Sequence, residues 1–410
     1  MAILLLATLS PFVLRVPPEG IGHLLAAATH RGFTPSDAVD AVRNVVLFAG
    51  WGLLWVMTAR PGSARWGRPV LLATVTGALL SVTLELTQLL VPTRTTSLLD
   101  VLTNTAGSAL GAVIALGLVA GARLQRRRRS YLGVPASHLA GAYGLATAFE
   151  AAFPLMRSGR PGMYGGPAGR LAWSLRHLDP GSLLHLPLFD TLLFLPAGFL
   201  AVAAMVEGGM EYGRAAAWTA TGGLVLALGG EAVHLFLAQP VVLGAVLVHA
   251  AAIGAGAWAA ARHVPAMTRR WRGRSRALLL LAAYVVVLAL WTWRPFDLAL
   301  PSGGLSWRRL LPMASQSARS DLYSVSDVAI AFLLFIPIGS LLAAWPLRRE
   351  GPAAGLLPAL ALSLVLEAGQ LLVASRFVDV TDALVTFAGA AVAWAVMREA
   401  GYPVRGTLLE

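Results

Sequence analysis

The chain has 410 residues, of which 57% are hydrophobic and only 13% carry a charged side chain. Soluble domains carry about twice that share of charged residues, so a soluble multidomain protein is excluded and lipid must solvate most of the chain. The net charge of +12 comes from arginines dispersed in short segments, which excludes a basic nucleic-acid-binding domain, and the absence of cysteine excludes disulfides and thiolate chemistry.

Twelve apolar runs approach or exceed the length of about 17 to 25 residues that a helix needs to cross a bilayer. In chain order they are 1–15, 41–59, 69–91, 98–120, 135–155, 188–206, 215–237, 241–261, 276–294, 326–345, 353–374 and 379–397. The first run is short and is retained because it begins a repeat. These runs predict an all-α polytopic integral membrane protein with about twelve transmembrane helices.

The arginines predict the orientation of these spans. When the spans alternate from a cytoplasmic N-terminus, 19 of the 32 arginines fall on the inner side, including the dense clusters at 123–129 and 269–276. Arginine accumulates in cytoplasmic loops, so we expect both termini in the cytoplasm. The outer side then carries three longer segments, 16–40, 157–187 and 297–325, which we expect to be outer loops or interfacial helices.

An internal repeat is visible in the polar residues. Each complete copy has an acidic residue before an LF-x-P-x-G-like segment, a Glu-x-x-Gln that closes a span, and an arginine and acidic residues that open the next span. In the first copy these residues, with two asparagines and a glycine, are Asp40, Asn44, Glu85, Gln88, Arg94, Asp100, Asn104 and Gly107. In the third copy they are Asp327, Glu367, Gln370, Arg376, Asp379, Asp382, Thr386 and Gly389.

The second copy is degenerate. Asp190 stands at the Asn44 position before LLFLPAG, Glu231-x-x-His234 replaces Glu-x-x-Gln, and the arginine and the following aspartate are lost. Each copy also begins with a span that ends in an aromatic residue beside proline, at Ser10-Pro11-Phe12, Phe153-Pro154 and Arg294-Pro295-Phe296. We therefore predict three tandem four-helix units, at 1–125, 131–265 and 274–400, of which the first has the most complete motif.

This combined pattern resembles the VanZ-like family of bacterial membrane proteins, whose domain is a four-helix unit of this kind. The resemblance extends over nearly the whole chain as three tandem units. It departs at Gly50, which replaces the motif proline, and at Ala331, which replaces the motif asparagine. The family is named for an accessory protein linked to resistance to the glycopeptide teicoplanin. The resemblance therefore implies the bacterial inner (plasma) membrane and the cell envelope as the setting, but no biochemical mechanism.

Helical spacing predicts that the motif residues meet. Glu85 and Gln88 share one face of their helix, while Asp100 and Asn104 share one face of the next helix with Gly107-x-x-x-Gly111, which favours close helix packing. We predict an outward-facing polar site that binds a proton, a cation or a lipid headgroup. Its candidate binding residues are Asp40, Asn44, Glu85, Gln88, Arg94, Asp100, Asn104, Asp327, Glu367, Gln370, Arg376, Asp379 and Asp382.

A structural alternative has equal weight at this stage. Placing a carboxylate inside a membrane without a partner costs free energy. Glu85 would therefore pair with Arg94 and Asn104, and Glu367 with Arg376. These pairs would hold the bundle together. The two arginines would clamp a phosphate or merely extend to the headgroup level.

Glu231 and His234, with His249 and Asp190, have the residue types of a metal site in a helix bundle. The pattern occurs in only one copy, so no metal, no cofactor and no catalytic residue is predicted.

We expect a non-enzymatic protein that affects envelope composition or glycopeptide susceptibility, with a membrane lipid, an envelope lipid or a glycopeptide-related ligand as its partner and no nucleic acid. One alternative is a transporter or lipid flippase. A second is a membrane enzyme that acts on a lipid headgroup with Glu85 or Asp100 as general acid or base. The ligand and the oligomeric state stay open in the sequence.

Overall fold

The structure is a computed structural model. It describes residues 35–59, 67–90, 97–125, 132, 134–152, 166–176, 180–235, 242–270, 273–299, 322–344, 351–376 and 379–402. Within these residues the chain forms α-helices and no strand; a 3₁₀ turn, Gln370–Leu372, follows one helix, and Leu298 and Val373 form an isolated bridge. The helices are α1 Pro35–Ala59, α2 Gly67–Gln88, α3 Leu98–Gln125, α4 Ala136–Ala152, α5 Pro167–Arg176, α6 Pro180–Glu207, α7 Tyr212–His234, α8 Leu243–Arg270, α9 Gly273–Thr292, α10 Leu322–Ala344, α11 Gly351–Gly369 and α12 Val380–Glu399.

Eight of the described helices are long and apolar enough to cross a membrane. The segments are Asp40–Thr58, Gly67–Gln88, Leu98–Gln125, Asp190–Glu207, Leu243–Met267, Ser326–Ala343, Gly355–Leu372 and Val380–Glu399. The expectation of an all-helical, multi-pass membrane protein is confirmed at this level.

The count of twelve spans stays a prediction. A helix overlaps every predicted span from 41–59 onward, while the span at 1–15 lies outside the described residues. Three of these helices are not among the eight candidates. α4 has 17 residues, the apolar part of α9 is limited to Leu278–Thr292, and the glycines, threonines and Glu231 of α7 make that helix less apolar.

Two helices extend into segments expected to be outer loops or interfacial helices. α5 lies within 157–187, and its apolar residues Ala168, Leu171, Ala172 and Leu175 recur at the spacing of one helix face. α6 begins at Pro180 in the same segment, and α10 begins at Leu322, within 297–325.

The chain divides into two compact units. In the described part, the first contains α1, α2, α3 through Gly121 and the first residues of α10 and α12. The second contains α4 to α9, α11, and the remainder of α10 and α12.

In the first unit, α1 and α3 touch through their backbones. A Cβ atom on Gly107 would lie 2.5 Å from the carbonyl oxygen of Val45, and one on Gly111 would overlap the carbonyl of Ala49. Gly52 of α1 lies equally close to the Ser108 carbonyl of α3. The Gly-x-x-x-Gly pattern therefore acts in helix packing, because only glycine permits this approach.

The same crossing occurs twice more, within the second compact unit. A Cβ atom on Gly198 of α6 would overlap Ile253 of α8, and one on Gly339 of α10 would overlap Ala390 of α12. Gly52, Gly198 and Gly339 are the final glycines of the three LF-x-P-x-G-like segments. Each crossing brings one pair of helices into backbone contact, and Asn44, Asp190 and Asp327 each lie two to four turns before the crossing glycine on the first helix of a pair.

Candidate functional site

Polar residues of the first bundle gather where α1 begins, α2 ends and α3 begins. The side-chain amide of Asn44 donates a hydrogen bond from Nδ2 to Asp100 Oδ1 at 2.7 Å. Asn44 immediately precedes Val45, and Asp100 lies two turns before Gly107 on α3. The glycine crossing thus brings together two residues that sequence analysis placed in one site.

Glu85, in the last turn of α2, accepts a hydrogen bond from the backbone N–H of Ser97 at 3.2 Å. Ser97 caps α3, since its Oγ accepts the N–H of Leu99 at 3.1 Å. The carboxylate therefore lies at the positive end of the α3 dipole, which stabilises negative charge. Glu85 and Asp100 are both half-buried. Two carboxyl groups are therefore placed at the partly exposed end of the bundle.

Asn104 forms a deeper layer between α2 and α3. Its Nδ2 donates to Ser81 Oγ at 2.9 Å, and Ser108 Oγ donates to the Asn104 carbonyl oxygen at 3.0 Å. Asn104 is buried, and its Oδ1 has no hydrogen-bond partner among the described residues. Glu85 and Asn104, which were expected to pair, therefore make separate contacts. Arg94, the other expected partner of Glu85, lies outside the described residues.

The remaining candidates of the first unit have simple positions. Asp40 is half-buried on α1, and Gln88 is buried at the end of α2. The positions of Asp40 and Gln88 do not by themselves identify what either side chain binds.

The candidates of the predicted third unit have local contacts. Gln370 Nε2 donates to Glu367 Oε2 at 3.4 Å, and both side chains are buried. Arg376 Nε donates to the carbonyl oxygen of Arg294 at 3.0 Å. Asp327 is half-buried in the first turns of α10.

The two aspartates at the start of α12 differ in role. Asp379 Oδ1 accepts the backbone N–H of Thr381 at 2.8 Å, so Asp379 caps the helix. Asp382 is half-buried in the first turn, where a carboxylate also favours the helix dipole.

The second compact unit contains a buried cluster of ionisable groups. The guanidinium of Arg294 lies 3.3 Å from Glu150 Oε1 and 3.4 Å from Asp190 Oδ1. Asp190 also contacts His249 Nε2 at 2.9 Å, and the Phe194 ring stacks on the imidazole at 3.9 Å between centroids. All four ionisable residues are buried, and Arg294 is only 1% exposed. This cluster joins α4, α6, α8 and the turn that follows α9.

Glu231 repeats the geometry of Glu85. Its Oε2 accepts the backbone N–H of Val242, the residue before α8, at 2.8 Å. The same oxygen lies 3.0 Å from His234 Nδ1. Glu231–His234 and Asp190–His249 thus form two pairs, and no group of three metal-ligating side chains occurs in the described part of the chain. The metal alternative gains no support from this geometry.

A family model described as VanZ/LLP1 matches residues 6–120 and matches again at residues 269–401, which together make up more than half of the chain. The chain belongs to the VanZ/LLP1 family. Comparisons with curated proteins and with solved structures gave no match. The two matches are consistent with a VanZ-like protein built from tandem units.

The two VanZ/LLP1 matches contain the motif sets of the first and third predicted units. Between them lie residues 121–268, which include Glu150, Asp190, Glu231 and His249. Arg294, the cation of the buried cluster, comes from the second matched segment. The VanZ/LLP1 motif residues and most of the buried ionisable cluster therefore occupy different parts of the chain.

Sequence reasoning about this VanZ/LLP1 chain missed three polar residues. Ser81 had a signal, because it stands one helical turn before Glu85, as Ser363 stands one turn before Glu367. The sequence signal for Arg294 was weaker: it is a cation at the end of an apolar span. Glu150 had none, because no equivalent carboxylate occurs in the sister units.

Proposed function

We propose that this VanZ/LLP1 chain is a non-enzymatic protein of the bacterial plasma membrane that alters envelope composition or susceptibility to teicoplanin-type glycopeptides. It acts through a polar intramembrane site at the outward-facing ends of its first and third units. Family membership supports the envelope setting. The observation that carries the site is the pair of half-buried carboxyl groups, Glu85 and Asp100, above the buried Asn104.

The geometry of this site favours binding. Asp100 is oriented by the amide of Asn44, and Glu85 by the backbone N–H of Ser97, so both carboxyl groups are fixed in place. Fixed acceptors at the end of a bundle suit a ligand that donates hydrogen bonds, such as a lipid headgroup, an envelope lipid or a glycopeptide-related molecule.

We also propose that the chain has twelve spans in three four-helix units of one orientation, with both termini in the cytoplasm. The repeated glycine crossings at Gly52, Gly198 and Gly339 support the repeat, as do the matching contacts of Glu85 and Glu231 with the start of the next helix. The inner arginine clusters support the orientation.

The function is tested in a strain that lacks this protein. We expect wild type to restore glycopeptide susceptibility and the lipid profile, and the double variant Glu85→Gln with Glu367→Gln to fail although it reaches the membrane. Glu211→Gln, at an exposed residue before α7, is the matched control and should restore both. Full rescue by the double variant would contradict the proposed site.

A further inference from the structure

The Glu231–His234 pair at the end of α7 has no part in the proposed ligand site. His234 is fully buried and Glu231 is 4% exposed. A carboxyl group and an imidazole enclosed in this way must satisfy each other or nearby backbone groups. Their hydrogen bonds therefore determine how many protons the pair holds.

Both ring nitrogens of His234 face oxygen atoms. Nε2 lies 3.1 Å from the carbonyl oxygen of Ala152, and Nδ1 lies 3.0 Å from Glu231 Oε2. A carbonyl oxygen only accepts, so Nε2 must carry a hydrogen atom. The contact between Nδ1 and Oε2 then requires a second hydrogen, because a nitrogen lone pair would otherwise face a carboxylate oxygen.

We propose that Glu231 and His234 form a proton-binding site in the second unit. The pair holds one proton more than a neutral imidazole beside an ionised carboxylate. The proton resides either on Nδ1, giving an imidazolium and a carboxylate, or on the carboxyl group, giving two neutral side chains. Both arrangements make the pair electrically neutral, which burial in a low-dielectric environment favours.

Other ionisable groups lie on the elements that pack against α7. The buried carboxyl and imidazole groups among them are Glu150 on α4, Asp190 on α6 and His249 on α8. Arg294 contacts the first two, and His249 contacts Asp190. These groups have partners of their own, so the proton assignment rests on the contacts that His234 and Glu231 make directly.

The sister units provide a natural comparison. Gln88 and Gln370 stand at the position of His234, and an amide at that position donates a hydrogen bond without binding a proton. The site is therefore specific to the second unit. His234→Gln recreates the sister motif in place.

The experiment uses the full chain in lipid nanodiscs with ¹⁵N-labelled histidine, studied by nuclear magnetic resonance at neutral pH. The His234 signals are assigned by their loss in His234→Gln. We expect both ring nitrogens to be protonated, or a neutral ring accompanied by an infrared carboxylic-acid band that disappears in Glu231→Gln. A neutral ring with a bare Nδ1 beside an ionised Glu231 would overturn the proposal.

A second variant keeps the test decisive if His234→Gln does not fold. In Glu231→Gln the new amide can donate to a bare Nδ1, so we expect the pair to lose one proton while Nε2 keeps its hydrogen bond to Ala152. An unchanged proton count in this variant would also contradict the site. His263→Gln, at an exposed position of α8, is the control and should leave the His234 signals unchanged.

Discussion

Arg294 shows at the scale of single residues how buried charges are compensated in this chain. Its guanidinium contacts two carboxylates and lies 3.1 Å from the centroid of the Trp291 ring. Removing one member of a buried ion group leaves an uncompensated charge, whereas removing the whole group is often neutral. The cluster therefore makes α4, α6 and the turn that follows α9 depend on one another.

We predict that Arg294→Met destabilises the protein by about 3–5 kcal/mol, because Glu150 and Asp190 then remain buried without their cation. Adding Glu150→Gln and Asp190→Asn should recover much of this loss. Chemical unfolding in mild detergent measures both effects. Arg262→Met, at an exposed residue, is the control. Wild-type stability of Arg294→Met would show that the guanidinium is not a required partner.

The same residues show what the sequence could predict about the site. Sequence analysis placed Asn44 and Asp100 in one site because helical periodicity gives their faces and because alternating spans put the start of α1 and the start of α3 on the same side of the membrane. The contact between Arg294 and Glu150 joins residues 144 positions apart, and Glu150 stands where the third copy has Trp291. Repeat and periodicity contain no information about such a pair. Only the packing of helices reveals it.

At the scale of helices, the recurring feature is a glycine that packs directly against the backbone of a neighbouring helix. Hydropathy and the repeat predicted the helices and the Gly107-x-x-x-Gly111 contact surface. They did not predict which carbonyl each glycine meets, since that depends on how the two helices cross. The crossing of α1 and α3 also orients Asn44 toward Asp100, so packing and site geometry are coupled.

We predict that Gly111→Ala destabilises the first bundle by about 1–3 kcal/mol, because the new methyl group collides with the Ala49 carbonyl and α1 must move. Gly117→Ala on the same helix is the matched control. Nothing lies within 4 Å of its added Cβ, so its stability should be unchanged or raised by up to about 1 kcal/mol. Thermal unfolding of the two variants is the measurement, and equal midpoints would contradict the crossing.

At the scale of the whole molecule, the half-buried motif carboxyl groups and the fully enclosed charges lie in different parts of the chain. The VanZ/LLP1 motif of the first unit leaves carboxyl groups half-buried at the end of a bundle, as Glu85 and Asp100 show. The part of the chain between the two VanZ/LLP1 matches instead encloses its charges, as Asp190 and Glu231 show. The three helices that overlap predicted spans but are not among the eight candidates, α4, α7 and α9, all belong to or border this charge-rich region. α4 and the apolar part of α9 are too short, and the polar residues of α7 lower its hydropathy, so hydropathy alone does not determine the span count.

We propose that the polar end of the first bundle faces the outside of the cell, and labelling of single cysteines tests this orientation most directly. The chain has no native cysteine, so each introduced thiol reports one position. We predict that Ser97→Cys and Ser302→Cys react with a membrane-impermeant maleimide in intact spheroplasts, while Ser130→Cys reacts only after the membrane is permeabilised. Labelling of Ser130→Cys in intact spheroplasts, with Ser97→Cys protected until permeabilisation, would contradict the account.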